Sequence, residues 1–371
     1  MRILHTESSC GWGGQELRIL AESQGLIGRG HSVIIAAPAE SRVLPEARQR
    51  GIGTAVLPIA RKNLAGLAGL YRWLKANPVD VVNTHSSTDS WLAALACALL
   101  RNPPPMVRTR HISATIPGNW ATRWLYGTAC SHVVTTGEYL RRHLIEENGM
   151  SPDHVTSVPT GIDARHFVPG DRHAAREALG LPRDSVLIGI VATLRSWKGH
   201  RFLLEAFAEI AGRDCLLVVV GDGPQRAPLQ WLAASLRIEE RVRFCGNQND
   251  VLPWLQALDI FALPSYANEG LPQALVQAML CGLPCVTTGV GSIGEAAVPD
   301  ETALVVPPQN AAALRQALLR LIGEPTLRRE LGASARKWCA ARFEFASMLN
   351  SMERIFRSVA ERTRLDLRKA A

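Results

Sequence analysis

Short, unbroken runs of Val, Ile, Leu and Ala recur along the chain, and segments with helical spacing separate them. The runs predict strands at 2–5, 32–37, 55–59, 80–84, 106–110, 133–136 and 155–158. Six more follow at 186–191, 216–220, 242–245, 260–263, 285–288 and 303–306. Continuous rather than alternating apolar character is the mark of strands covered on both faces. The intervening segments 15–28, 64–76, 91–100, 201–211 and 229–236 read as helices, so the chain is a repeated βα pattern with parallel sheets. The rhythm breaks between His166 and Asp184, where Pro169-Gly170-Asp171 and Gly180-Leu181-Pro182 flank a short charged helix. A boundary there predicts two doubly wound α/β domains with a cleft between them, 1–167 and 168–346. The last stretch, 343–364, reads as a long amphipathic helix with no strand after it, and residues 347–371 are expected to pack back on the first domain.

A length of 371 residues suits two domains with full cores. No apolar run reaches the ~18 residues that span a bilayer, and the first residues lack a signal-peptide core, so a cytoplasmic protein is expected. The eight cysteines are scattered and complete no zinc pattern, so buried thiols in a reducing compartment are expected. The net charge of +8 is concentrated. Between Ala47 and Gly137 stand ten bases and only two acids, Asp80 and Asp89, an excess equal to that of the whole chain. A basic face suits an anionic partner such as a membrane surface, a phosphorylated lipid or nucleic acid.

The most informative stretch is 264–279. Pro264-Ser265 ends an apolar run, Glu269 follows in a loop, and Pro272 stands where a first helical residue would. A helix start offers free N–H groups and a partial positive charge to a phosphate. A carboxylate beside such a site needs other ligands, and sugar hydroxyls fit. Gln277 lies eight residues beyond Glu269. Four further motifs close predicted strands. Cys10-Gly11-Trp12-Gly13-Gly14-Gln15-Glu16 follows the first strand, and glycines there let backbone approach a ligand. Gly221-Asp222-Gly223 ends another, at the carboxyl edge where α/β ligands bind. Arg195 and Lys198 sit on a strand-to-helix loop and suit a diphosphate. Arg108-Thr109-Arg110-His111 places an imidazole within reach of a sugar or a proton transfer, and His85 is a similar residue. Pro159-Thr160-Gly161-Ile162-Asp163 reads as a turn at the domain junction.

Taken together and in order, these motifs resemble the retaining glycosyltransferases of family 4, which have the two-domain GT-B fold. The resemblance covers residues 1 to about 345. It implies a fold of two Rossmann-like domains facing each other across a deep cleft, and a nucleotide-diphosphate sugar as donor, bound mainly by the second domain. Arg195 and Lys198 would then hold the diphosphate, with backbone N–H groups of Gly270 and Leu271. The turn of Gly221, Asp222 and Gly223 belongs to the same donor-binding set. Glu269 would bind donor-sugar hydroxyls, Gln277 the ribose, and Gly13 and Gly14 would close over the diphosphate. His111 would approach the donor sugar near the reacting carbon. Transfer would proceed with retention and without a metal or other cofactor, Lys198, Glu269 and His111 being the catalytic set. The family usually has Glu at the position of Gln277, which implies a weaker or altered ribose contact, and commonly Arg at the position of Thr193, for which Arg195 would stand in.

The acceptor implied is a lipid-linked sugar or polysaccharide at the inner face of a plasma membrane, with no nucleic acid partner. Leu64, Leu67, Leu70, Tyr71 and Leu74, beside Arg61, Lys62, Arg72 and Lys75, form a stripe that suits either core or membrane; Trp120, Trp124 and Tyr126 suit either an acceptor groove or the core. A transferase for a small soluble acceptor, a non-catalytic sugar- or lipid-binding module and an epimerase of the same fold are the other readings. The epimerase lacks the 269–279 signature.

Overall fold

The computed structural model describes residues 1–210 and 214–370, with side chains through Asp366. The chain forms two compact units. One comprises Met1–Thr160 with the segment from Ala346 onward, and the other is Gly161–Phe345. The first boundary falls seven residues before the 167/168 break read from sequence. The reason is local: Ile162 donates its N–H to Phe343 O at 2.8 Å and bridges Glu344, which ties 161–167 into the second unit.

All thirteen sequence-predicted strands form. In the first unit they are β1 (Arg2–Thr6), β2 (Ser32–Ala37), β3 (Gly53–Val56), β4 (Val81–Thr84), β5 (Met106–Arg110), β6 (His132–Thr135) and β7 (Val155–Ser157). The second unit holds β8 (Val186–Val191), β9 (Cys215–Val220), β10 (Val242–Gly246), β11 (Ile260–Leu263), β12 (Cys285–Thr288) and β13 (Leu304–Val306). Every pairing between them is parallel, in the orders β3-β2-β1-β4-β5-β6-β7 and β10-β9-β8-β11-β12-β13. Strand order therefore reverses between β1 and β4 in one sheet and between β8 and β11 in the other. Loops at such a switch point diverge and leave a crevice at the carboxyl ends of the strands.

β4, β5, β11 and β12 are buried along their whole length, which is why their sequences do not alternate. In the first unit, Leu4, Val82, Met106 and Val133 pack on one face of the sheet, and Ile19, Leu20, Ile35 and Ala37 on the other. β3 is displaced from the predicted 55–59, since Pro58 cannot supply a ladder N–H and β3 is a partly exposed edge strand. The helix predicted at 201–211 is His200–Ala208, and Ala211 lies outside the described residues. The terminal helix runs Phe345–Ala370. Its segment from Ala346 belongs to the first unit, where Arg29 and His31 bond Glu353 and Phe356 is fully buried in a T-shaped contact with the ring of His5. Ala371, in the segment expected to pack there, lies outside the described residues.

The local excess of bases is not all on the surface. Arg108 and Arg110 are buried: Arg110 bonds Tyr126 Oη at 2.8 Å, while Arg108 covers the Tyr126 ring and reaches Ser86 O at 3.2 Å. Summed charge along a sequence cannot separate these internal guanidiniums from a solvated face. Arg48, Arg61, Lys62, Arg72, Lys75, Arg101 and Arg123 are exposed. The apolar stripe is mostly core, with Leu70 and Leu74 buried and Leu67 and Tyr71 packed against the same cluster; Leu64 is 83% exposed. Tyr126 is buried and Trp124 stacks on Trp91, whereas Trp120 is 76% exposed. Among the described residues, no helix is long and apolar enough to cross a membrane.

Candidate active site

In the second unit the switch point between β8 and β11 brings together two of the sequence-predicted residues. The loop after β8 runs from Ala192 to Gly199, and the loop after β11 from Pro264 to Pro272. Lys198 Nζ lies 2.7 Å from Glu269 Oε1 and 3.0 Å from Oε2. Glu269 is only 4% exposed, and the Lys198 side chain 18%. An ammonium has three N–H donors, so one remains after both oxygens of Glu269 are served, and each oxygen keeps a lone pair for a hydroxyl.

Backbone geometry fixes this pair. Gly199 has φ +76°, and a Cβ there would stand 1.9 Å from Pro264 O. Only glycine lets the two loops approach so closely. Gly291 (φ +60°) does the same behind Glu269, whose carbonyl oxygen lies 2.1 Å from the position of a Cβ. Tyr266 N donates to Trp197 O at 2.8 Å, joining the loops again. Thr288 Oγ1 donates to Ser265 O and Thr287 Oγ1 to Leu263 O, which anchors the end of β11.

The helix after Glu269 is Gln273–Leu280. Pro272 is its N-cap (ψ 121°) rather than its first helical residue, one position later than expected, because its ψ is extended while its φ of −69° still suits a helix entry. Gly270 and Leu271 immediately precede this helix start and are buried. Gln277, in the second turn, is 9% exposed.

The predicted glycine turn lies against the Lys198 loop. Leu194 N donates to Asp222 O and Gln225 N to Leu194 O, both at 3.0 Å, while Asp222 caps Gly223 N at 2.7 Å. Arg226, which the sequence reading passed over, binds Asp222 Oδ2 at 3.1 Å. Arg195 is exposed, with its guanidinium 5.7 Å from the centre of the Trp197 ring. Thus Lys198, Glu269, Arg195, Gly221–Gly223 and the helix start at Gly270 and Leu271 gather at one sheet edge.

Gly13, Gly14 and His111 belong to the other unit and gather at the carboxyl edge of its sheet. Gly13 is the N-cap of helix Gly14–Gly28, and His111 follows β5 directly. Behind the glycine loop lies a polar web that sequence reasoning missed. Glu7 accepts from Ser86 Oγ at 2.6 Å and Ser9 N at 2.7 Å, and also from the Gln15 amide. Asp89 accepts from Thr6 Oγ1, His85 N and Ser86 N at 2.7–2.9 Å. Burial, with Asp89 and Glu16 nearby, pushes the Glu7 carboxyl up to about 8. Burial likewise pushes Asp89 up to about 6, against its hydrogen bonds.

Between its ordinary 4.5 and about 8, folded Glu7 holds a proton that the unfolded chain has released. The stability it contributes is therefore complete below 4.5 and is lost as pH rises through 8. Buried His5, held down to about 3, acts in the opposite sense and only below 6.5. Glu7→Gln keeps the shape without the charge. Its unfolding temperature relative to wild type should rise by roughly 5 °C between pH 6.5 and pH 8.5. A difference that is the same at both pH values would refute the shifted carboxyl.

His111 is the outermost of three linked imidazoles. His5 Nδ1 lies 2.9 Å from His85 Nε2, and His85 Nδ1 lies 2.9 Å from His111 Nε2. The sequence signal was available, since His5 lies near the end of β1 while His85 and His111 directly follow β4 and β5, the next strands of the same sheet.

Two parallel-sheet Rossmann-like units, with a cation–carboxylate pair beside a helix start at a switch point, define a GT-B glycosyltransferase. Residues 12–166 match Glycosyltransferase Family 4 and residues 171–338 match Glycosyl transferases group 1. The 2-deoxystreptamine glucosyltransferase of Streptomyces kanamyceticus is 30% identical over 331 residues, 79% of this chain and 84% of that one. The chain belongs to this glycosyltransferase family. The UDP-Gal:alpha-D-GlcNAc-diphosphoundecaprenol alpha-1,3-galactosyltransferase of Escherichia coli is 29% identical over 244 residues, 62% of each chain. Among solved structures, Anabaena HepE in complex with UDP-glucose superposes with a TM-score of 0.86 at 21% identity, covering 96% of this chain and 100% of that one.

Proposed function

We propose that the protein transfers a hexose from a nucleotide-diphosphate sugar to an acceptor hydroxyl with retention of configuration, and that its own cations stabilise the leaving diphosphate without a metal. The pairing of Lys198 with Glu269 beside the start of helix Gln273–Leu280 carries this reading. The free N–H of Lys198 would meet a diphosphate oxygen, with Arg195 and the amides of Gly270 and Leu271 adding donors where negative charge develops. Glu269 would hold sugar hydroxyls. Gln277 would reach the ribose, with hydrogen bonds weaker than a carboxylate accepts. By the family resemblance, Gly13 and Gly14 would cover the diphosphate and His111 would contact the donor sugar.

As acceptor we propose a lipid-linked sugar in cell-surface polysaccharide or lipopolysaccharide assembly, at the cytoplasmic face of a membrane. Exposed Trp120, Leu64 and Ile112 on the unit that also exposes Arg61, Lys62, Arg72, Lys75, Arg101 and Arg123 support it, as does likeness to a transferase whose acceptor is diphosphoundecaprenol-linked. Likeness to a 2-deoxystreptamine glucosyltransferase supports a second reading, a small soluble acceptor.

A thermal-shift screen with UDP-, GDP- and ADP-linked hexoses tests the donor. The true donor at about 100 times its Kd adds ~2.7 kcal/mol to apparent stability. That donor should then be transferred in the presence of EDTA, with the anomeric configuration of the product read by NMR. A donor that binds but is neither hydrolysed nor transferred to lipid-linked or aminocyclitol acceptors would favour a non-catalytic binding module.

A further inference from the structure

The three imidazoles end on a buried ion pair. His5 Nε2 lies 4.0 Å from Glu22 Oε1, and Glu22 Oε2 lies 3.5 Å from Arg18 Nε. All three side chains are fully enclosed, and Phe356 makes a T-shaped contact with the His5 ring. Arg18 also donates to Val158 O at 2.8 Å and Thr160 Oγ1 at 3.1 Å. A guanidinium keeps its proton, and a buried cation requires a counter-charge, so Glu22 is the carboxylate.

Three neutral imidazoles joined by two hydrogen bonds admit two proton orders. In one, His111 gives its Nε2–H to His85 Nδ1, His85 gives its Nε2–H to His5 Nδ1, and His5 turns Nε2–H toward Glu22. In the other, every proton is reversed, and His5 faces the carboxylate with a lone pair. The second order turns the His5 lone pair toward the Glu22 carboxylate, an unfavourable dipole–charge contact in a buried site, where such contacts are least screened. The hydrogen bond at one ring nitrogen decides the proton at the other.

We propose that His5 and His85, backed by Glu22, are positioning residues that hold His111 as its Nε2–H tautomer and leave Nδ1 as a lone-pair acceptor. On the proposed function, that acceptor takes a hydrogen bond from a substrate hydroxyl, a role the other tautomer cannot fill. Burial and the nearby Arg18 and Arg108 hold His111 well below the ordinary imidazole range, so Nδ1 stays unprotonated at pH 7. Among the described residues, the charged groups acting on the relay are Arg18, Arg108 and Glu22, and Asp89 accepts the backbone N–H of His85 at 2.9 Å.

The test is NMR of the full chain with 15N-labelled histidine at pH 7.5. Expected are Nε2–H at His111 with no visible Nδ1–H, and a coupling across the hydrogen bond between His111 Nε2 and His85 Nδ1. Glu22→Gln removes the bias and should raise the Nδ1–H fraction at His111 severalfold. Nδ1–H at wild-type His111, or unaltered populations in folded Glu22→Gln, overturns the assignment. Should Glu22→Gln not fold, His85→Phe cuts the chain instead. It should release Nδ1–H at His111 and lower kcat about tenfold with little change in the donor KM. Wild-type kcat in His85→Phe while His111→Ala is impaired overturns the relay. Full turnover in His111→Ala would remove the proposed sugar contact, whereas the spectra judge the relay independently.

Discussion

Lys198→Met is expected to lower turnover by about 10²–10³-fold, the usual loss when one preorganised donor to developing negative charge is removed. Methionine keeps most of the stem volume and deletes the ammonium. Removal of the cation also leaves Glu269, 4% exposed, without its partner, which is a structural cost of its own. The double variant Lys198→Met/Glu269→Gln separates the two effects. It carries no orphaned charge, so its unfolding temperature should return toward wild type while its turnover stays as low as in the single variant. Initial rates and unfolding midpoints of both variants decide the matter. A single variant within threefold of wild-type turnover would remove Lys198 from the chemistry, and a double variant that regains activity would show that the loss was structural.

Arg18→Met should destabilise the first unit by about 3–5 kcal/mol, because it leaves the carboxylate of Glu22 buried and unpaired. Arg18 is 1% exposed and Glu22 is fully buried. Arg18→Met/Glu22→Leu replaces both charges with apolar groups of comparable length and should recover much of that loss, though not the bonds to Val158 O and Thr160 Oγ1. With two units, unfolding need not be a single transition, so hydrogen exchange of β1 and β4 amides is the appropriate measure. A single-variant cost below ~1 kcal/mol would mean that the pair is not enclosed as described.

Sequence patterning exposed the strands because both faces of each sheet are covered, which leaves continuous apolar runs such as Ile260–Leu263. Edge strand β3 lacks that cover and begins two residues before the predicted 55–59. Pairings over long separations left no mark. Lys198 and Glu269 are 71 residues apart and meet only because β8 and β11 are neighbours at a strand-order reversal. Resemblance named both residues but assigned them separate ligands; that they bind each other is a product of topology. The reversed polarity of Arg18 and Glu22 was legible in principle, since both fall in the helical stripe with Ile19 and Leu26 that faces inward. The excess of bases was misleading for a matching reason: a tally does not distinguish Arg110, which bonds the Tyr126 hydroxyl inside the unit, from Arg101 on its surface.

The first unit is interrupted. Its last helix follows the entire second unit in the chain, and Met352 and Phe356, which cover Arg18 and His5, lie almost 200 residues beyond Thr160. During synthesis, the second unit is a continuous stretch and can close as soon as it has emerged. The N-terminal sheet must wait, with its ionic centre uncovered, until the terminal helix is made. Order of completion is therefore opposite to order of translation, and the half bearing the imidazole relay is the last to be sealed.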